Sequence, residues 1–258
     1  MSTKRPSINL LIAPVARETG ELLQGYLADR GVGTTSVDYH GVVCYGLPST
    51  LMKSLNGRCD IDKIERLLMM SRAGITTIPW FSKAEDPHGT ITYPLLARRT
   101  GGHGGEDIVP VFQPEELAWR MAAGWTWFSS YVPVEREYRI WVFRNEIFGA
   151  YEKVMKRPHE YRFIGRNFRN GFDFQPSPCP SSVAKRAIGA VRACNLDFAA
   201  VDILVGKDRR VYVLEVNTAP GVIRSGAQKT LGMLADYIVE WVKEDYPIPS
   251  KRARLEEK

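Results

Sequence analysis

The sequence predicts an α+β protein with more than one lobe, and three observations carry that prediction. The chain has 258 residues, more than one average domain, so it can bury a full core and divide into packed lobes. It opens with a strand–helix–strand pattern. Farther on, apolar strand pairs joined by short polar turns alternate with amphipathic helices, which points to antiparallel hairpins interleaved with helices.

The elements follow in order. INLLIAPV (8–15) is a short apolar strand ended by Pro14. ARETGELLQGYLADRG (16–31) carries helical apolar spacing at Leu22, Leu23, Tyr26 and Leu27, and TTSVDYHGVVCYG (34–46) is β-rich. DIDKIERLLMMSRAGI (60–75) sets Ile61, Ile64, Leu67 and Leu68 on one helical face, with Asp60 as N-cap and Gly74 as stop. Strand ITYPLLARR (91–99) leads through a glycine cluster to helix PEELAWRMAAG (114–124). YRIWVF (138–143) and EIFGAYEKV (146–154) form a hairpin about Arg144-Asn145. A basic aromatic stretch runs to 174, followed by a proline-rich linker, QPSPCP (175–180). Helix SVAKRAIGAVRAC (182–194), a second hairpin over 202–217 and helix GAQKTLGMLADYIVEWVKEDY (226–246) complete the pattern, and PIPSKRARLEEK reads as a loose tail.

Composition narrows the function classes. No apolar run approaches the roughly 18–20 residues of a membrane span, and the N-terminus does not read as a signal peptide, so a cytoplasmic protein is expected. Cys44, Cys59, Cys179 and Cys194 are scattered with no C-x-x-C pairing, which argues against a zinc site and a disulfide framework. The net charge of +6 permits an anionic partner, although a solvated basic surface alone would produce it too.

The second hairpin, DILVGKDRRVYVLEVNTAPG (202–221), carries unusual chemistry. With Lys207–Arg210 as a four-residue loop, Gly206 faces Val211 and Asp202 falls directly opposite Glu215. Glu215 and Asn217 share a face by alternation, so three oxygen-bearing side chains converge. Facing carboxylates repel unless something offsets them. A divalent cation would do so, and oxygen donors without Cys or His suit Mg²⁺ or Mn²⁺. A surface pairing with Arg209 or Arg210 is the alternative.

The run AAVDILVGKDRRVYVLEVNTAPG (199–221) resembles the closing signature of the ATP-grasp ligases, with Asp202 and Glu215-x-Asn217 at the family's magnesium positions. The resemblance extends from about 56 to 246 and takes in NGRCDIDKIERLLMMSRAGITTIPW and EREYRIWVF. It is nearest the small peptide-ligase-like enzymes, with D-alanyl-D-alanine ligases as more distant relatives. It implies two α+β lobes clasping ATP: a small α/β lobe at 1–55, a central lobe at 56–128 with a glycine-rich lid, a C-terminal lobe at 129–246 holding the metal, and a basic tail at 247–258.

The resemblance also assigns roles. Lys63 and Arg98 contact the ATP phosphates, Arg98 standing where the family usually has lysine, which keeps the charge but changes the geometry. Gly101, Gly102, His103, Gly104 and Gly105 form the lid, whose bare amides suit phosphates; no P-loop lysine follows. Ser129, Ser130, Tyr131 and Val132 form the hinge beside adenine. Glu137 and Arg139 share a face, with Arg139 stabilising the transferred phosphoryl group. Lys153, Arg166 and Asn167 approach the phosphates and the substrate carboxylate.

The stretch 151–174 has six Lys or Arg against three Asp or Glu, with six aromatics between them. That pattern serves an acceptor pocket, a nucleic-acid contact or a solvated loop. The expected activity is ATP-dependent carboxylate–amine ligation through an acylphosphate, with a carboxylate substrate, an amine donor, and a peptide, polyamine or nucleic acid as acceptor. A homodimer is a compatible assembly. An ATP-grasp kinase and an ATP-binding regulatory or nucleic-acid-binding protein are the competing readings.

Overall fold

A computed structural model describes residues 6–37, 39–51, 53–82, 92–99, 108–156, 165–166, 170–222 and 227–244. The lid residues Gly101, Gly102, His103, Gly104 and Gly105, together with Asn167 and the tail, lie outside the described residues. Two units are present: one runs up to Asp60 and resumes at Thr218, and the other spans Ile61–Asn217.

The first unit is built on a parallel sheet. β1 (Ser7–Ile12), α1 (Arg17–Asp29) and β2 (Gly33–Thr34) are followed by β3 (Val42–Tyr45) and β4 (Ser54–Leu55), and the strand order is β2-β1-β3-β4. The expected βαβ opening is thus present, with β1 parallel to β2 and β3. The last helix, α5 (Gln228–Glu244), packs on α1 and buries Leu231, Leu234, Ile238, Val239, Trp241 and Val242. Arg30 Nε holds Asp236 Oδ1 at 2.5 Å between these helices, and Tyr45 Oη donates to the Pro220 carbonyl at 2.6 Å. The lobe expected over 129–246 therefore ends earlier: the apolar face of α5 finds its partners on the N-terminal unit.

The second unit holds two antiparallel sheets. α2 (Lys63–Arg72) leads to β5 (Trp80–Ser82), β6 (Leu95–Arg98), β7 (Ile108–Val111), α3 (Pro114–Ala122) and β8 (Trp127–Ser130), whose four strands order as β5-β8-β6-β7. Asp62 caps α2, not Asp60: its side chain accepts from the amides of Ile64 at 2.7 Å and Glu65 at 2.9 Å. Gly74 ends that helical segment at φ 71°, as its position suggested.

The larger sheet comprises β9 (Val134–Phe143), β10 (Glu146–Met155), β11 (Phe172–Pro176), β12 (Phe198–Gly206) and β13 (Val211–Asn217), ordered β11-β10-β9-β12-β13; α4 (Ser181–Ala193) precedes β12. One face is apolar. Tyr138, Ile140, Val142, Val201, Ile203, Val213 and Val216 pack with Val183, Ala187, Ala190 and Val191 of α4 and with Leu67 and Met70 of α2. Part of the expected linker at 175–180 is strand: Pro176 closes β11, an edge strand, where a missing amide is tolerated.

The hairpin of β12 and β13 does pair Asp202 with Glu215, but by another route. Near the turn, Val205 faces Val211, one residue out of the expected register, and a bulge between Ile203 and Asp202 inserts Leu214 and restores it. Val213 and Val216 can then both face the core. Glu215 stays opposite Asp202. Among the described residues, no helix is long and apolar enough to cross a membrane, and all four cysteines are unbridged.

Candidate functional site

The second face of the large sheet is charged. Tyr151, Arg139, Asp202 and Glu215 form one row across β10, β9, β12 and β13 by direct register. Arg139 grips Asp202 bidentately, Nε to Oδ1 at 2.7 Å and Nη2 to Oδ2 at 2.9 Å. Lys153 Nζ donates to Glu137 Oε1 at 2.6 Å and reaches Asp202 Oδ2 at 2.8 Å. Glu137 and Arg139 are thus not an ion pair with each other, as their shared face allowed; each is bound to a partner on another strand. Phe174 lies beneath both cations, 4.9 Å from the Arg139 guanidinium and 5.7 Å from Lys153 Nζ. Arg166 stands 3.8 Å from Glu137 Oε2.

Burial and charge oppose each other here, and charge wins. Burial would raise the Asp202 carboxyl, but Arg139 and Lys153 hold it well below the usual carboxylate range. Burial would lower Lys153, but Asp202 and Glu137 raise it above the ordinary lysine value. Arg139 is raised in the same way by Asp202, Glu215 and Glu137 against its burial.

Beside this row, a pocket is lined by Lys63, Arg66, Leu67, Met70, Arg98, Trp127, Leu214, Glu215 and Val216. Helix α2 supplies Lys63, which lies 3.2 Å from Glu215 Oε1. Arg98, at the end of β6, stacks on Trp127 at 4.9 Å. Burial pushes the Arg98 guanidinium down to about 10, with Glu215 and Glu137 partly restoring it, so it stays charged at neutral pH. Arg66 was not singled out from the sequence, although it sits three residues after Lys63 and hence on the same helix face. Its Nη1 donates to the Val216 carbonyl at 2.7 Å, tying α2 to the strand that carries Glu215 and Asn217.

The hinge is more committed than expected. The Ser130 amide donates to Pro79 O at 2.9 Å and the Tyr131 amide to Pro94 O at 3.0 Å, so neither donor is available to a base. Val132 packs with Leu204 and Tyr212.

The expected metal set can be tested on these contacts. Carboxylate and amide oxygens at Glu215 and Asn217 have the hard-donor chemistry of Mg²⁺ or Mn²⁺. Asp202 is different: both of its oxygens hold cations within 2.9 Å, so it acts as a counter-ion for Arg139 and Lys153 rather than as an open ligand. Among the described residues, no three of His, Cys, Asp and Glu gather in a metal-holding group. The donor chemistry fits a hard cation at Glu215 and Asn217, and cations otherwise outnumber carboxylates around the pocket. Such a site takes a polyanion.

Comparison with known proteins agrees with this geometry. Over 233 residues the chain is 24% identical to the D-alanine–D-alanine ligase of Methylococcus capsulatus, spanning 82% of this chain and 73% of that protein. Its fold superposes on the ATP-grasp ligase PsnB complexed with minimal precursor, Mg and ADP, with a TM-score of 0.70 and 14% identity, covering 94% of this chain and 99% of that one. It superposes on the D-alanine–D-alanine ligase of Bacillus anthracis with a TM-score of 0.67 and 18% identity, covering 98% and 100%. Residues 116–230 match the family model of an ATP-grasp domain, the second family of its clade, and with the sheets and the charged face of that fold in place, the chain is a member of the ATP-grasp superfamily.

Proposed function

We propose that this chain is an ATP-dependent carboxylate–amine ligase that forms an amide or peptide bond through an acylphosphate and releases ADP and phosphate. The observation that carries the reading is the charged face of the large sheet, where Arg139 and Lys153 are held beside the pocket lined by Lys63, Arg66 and Arg98. Lys63 and Arg98 bind and orient the phosphates. Arg139, whose bond to Asp202 uses Nε and Nη2, retains further N–H groups for charge developing on the transferred phosphoryl oxygens. Glu215 and Asn217 would hold a magnesium ion, which supplies charge neutralisation on phosphate oxygens. Arg166, at the open side of the row, receives the substrate carboxylate. The acyl carbon is then attacked by the amine, and inorganic phosphate leaves.

For the substrate we propose a peptide that presents a carboxylate. The complex of PsnB with its minimal precursor supports that class, and so do the relatives named for joining D-alanine units.

The test uses the intact chain with ATP, Mg²⁺ and panels of carboxylates and amines. ADP release is expected only when a carboxylate is present, and hydroxylamine should intercept the activated acyl group as a hydroxamate without any natural amine. A stable phosphorylated product with no free phosphate would make the protein a kinase. ATP binding without ADP under every pairing would make it a binder.

A further inference from the structure

Two neighbouring donors in the pocket stand out. Arg98 Nε and Trp127 Nε1 are both buried, and neither has an acceptor among the described residues. Buried donors are nearly always matched, so an orphan at a pocket wall calls for an explanation. Trp127 sharpens the question. It is only 4% exposed and packs within the core that backs α2, a task phenylalanine would perform without an N–H to satisfy. Indole offers a donor and no acceptor, so whatever satisfies it must bring an acceptor in.

The two residues are also mechanically coupled. Arg98 and Trp127 are direct cross-strand partners in β6 and β8, which places their side chains on one face, with the guanidinium 4.9 Å from the ring centroid. Stacking fixes the plane of an arginine in a way that has no counterpart for a lysine ammonium. Both side chains line the pocket that also holds Lys63 and Glu215.

We infer that Arg98 and Trp127 act as one phosphate-binding unit, in which the ring orients the guanidinium while Arg98 Nε and Trp127 Nε1 both donate to oxygens of the same polyphosphate. This rests on the nucleotide-binding reading above and adds to it a ligand-contacting residue, Trp127. Adenosine lacks the oxygens that would satisfy the pair; ADP and inorganic tripolyphosphate have them.

The experiment follows the indole directly. Nitrogen-15-labelled protein has six tryptophans, and the Trp127 indole resonance is identified by its loss in Trp127→Phe. It should move on addition of ADP or tripolyphosphate and stay in place with adenosine. Trp127→Phe, which keeps a ring and removes the donor, should weaken ADP binding about fivefold. Trp127→Leu, which removes both, should weaken it by roughly tenfold or more. An indole resonance unmoved at saturating ADP would overturn the inference, as would unchanged ADP affinity in folded Trp127→Phe. Carboxylate-dependent ADP release undiminished in Trp127→Leu would remove the pair and leave the ligase reading standing. A tripolyphosphate-driven indole shift in a protein that releases no ADP with any carboxylate would do the reverse.

Discussion

Asp202 shows how one side chain can be placed correctly by sequence and still be given a different task by its surroundings. Its position opposite Glu215 suggests a shared cation, yet its oxygens are held by Arg139 and Lys153, which arrive from β9 and β10. Removing its charge leaves two buried cations uncompensated. Asp202→Asn should therefore cost about 3–5 kcal/mol in urea unfolding, more than a surface pair would. The pH profile carries a second signature. A depressed Asp202 contributes stability that is complete above the unfolded aspartate value, about 4, and drains away as pH falls through its lower native value. A raised Lys153 contributes stability present below the unfolded lysine value, about 10.4, and lost as pH rises through its higher native value. The native protein should hold a plateau between those limits, and the variant should lose the acid limb of the profile. Equal slopes below pH 4 in both proteins would refute the assignment.

Helix α2 delivers Lys63 and Arg66 to the pocket, so its first turn matters to the site as well as to stability. Asp62 satisfies two of the amides that a helix start leaves open. Asp62→Ala should cost about 0.5–2 kcal/mol and also weaken ATP binding, whereas Asp62→Asn should retain most of both. Calorimetric titration with ATP, paired with urea curves, checks the coupling. The same elements show what the sequence could and could not tell. Periodicity located α1, α4 and α5 closely, because their apolar stripes are regular. It put the cap of α2 two residues early, since Asp60 and Asp62 are equally good capping residues and only the path of the chain chooses between them. The Asp202–Glu215 pairing was legible only because two departures compensate: the turn register is displaced by one residue, and the bulge at Leu214 returns it. Trp127 could not be found beforehand, because its relation to Arg98 exists only through a register between strands about thirty residues apart. Lys153 was named, but its partners on β9 and β12 needed the sheet order.

At the scale of the whole chain, each unit has its own core, and a defect in one should be felt there first. A methyl group on Gly41 would meet the Trp241 ring at 2.5 Å and the Lys53 carbonyl at 3.3 Å, both within the first unit. Gly41→Ala should destabilise that unit by about 1–3 kcal/mol, as overpacking does. Hydrogen exchange should show protection falling in β1, β3 and α5 while β9, β10, β12 and β13 keep theirs; a uniform loss would mean the units unfold as one. The first unit is drawn from both ends of the sequence, with Ile61–Asn217 inserted between its pieces. On the ribosome, which emits about 5–20 residues per second, β1, α1 and β3 emerge first but wait for α5 to cover α1 and to bring Trp241 to Gly41. The inserted unit has all of its strands in hand before that helix is made. The opening strands are thus the part of the nascent chain exposed longest with an uncovered apolar surface, and the natural place for a chaperone to hold.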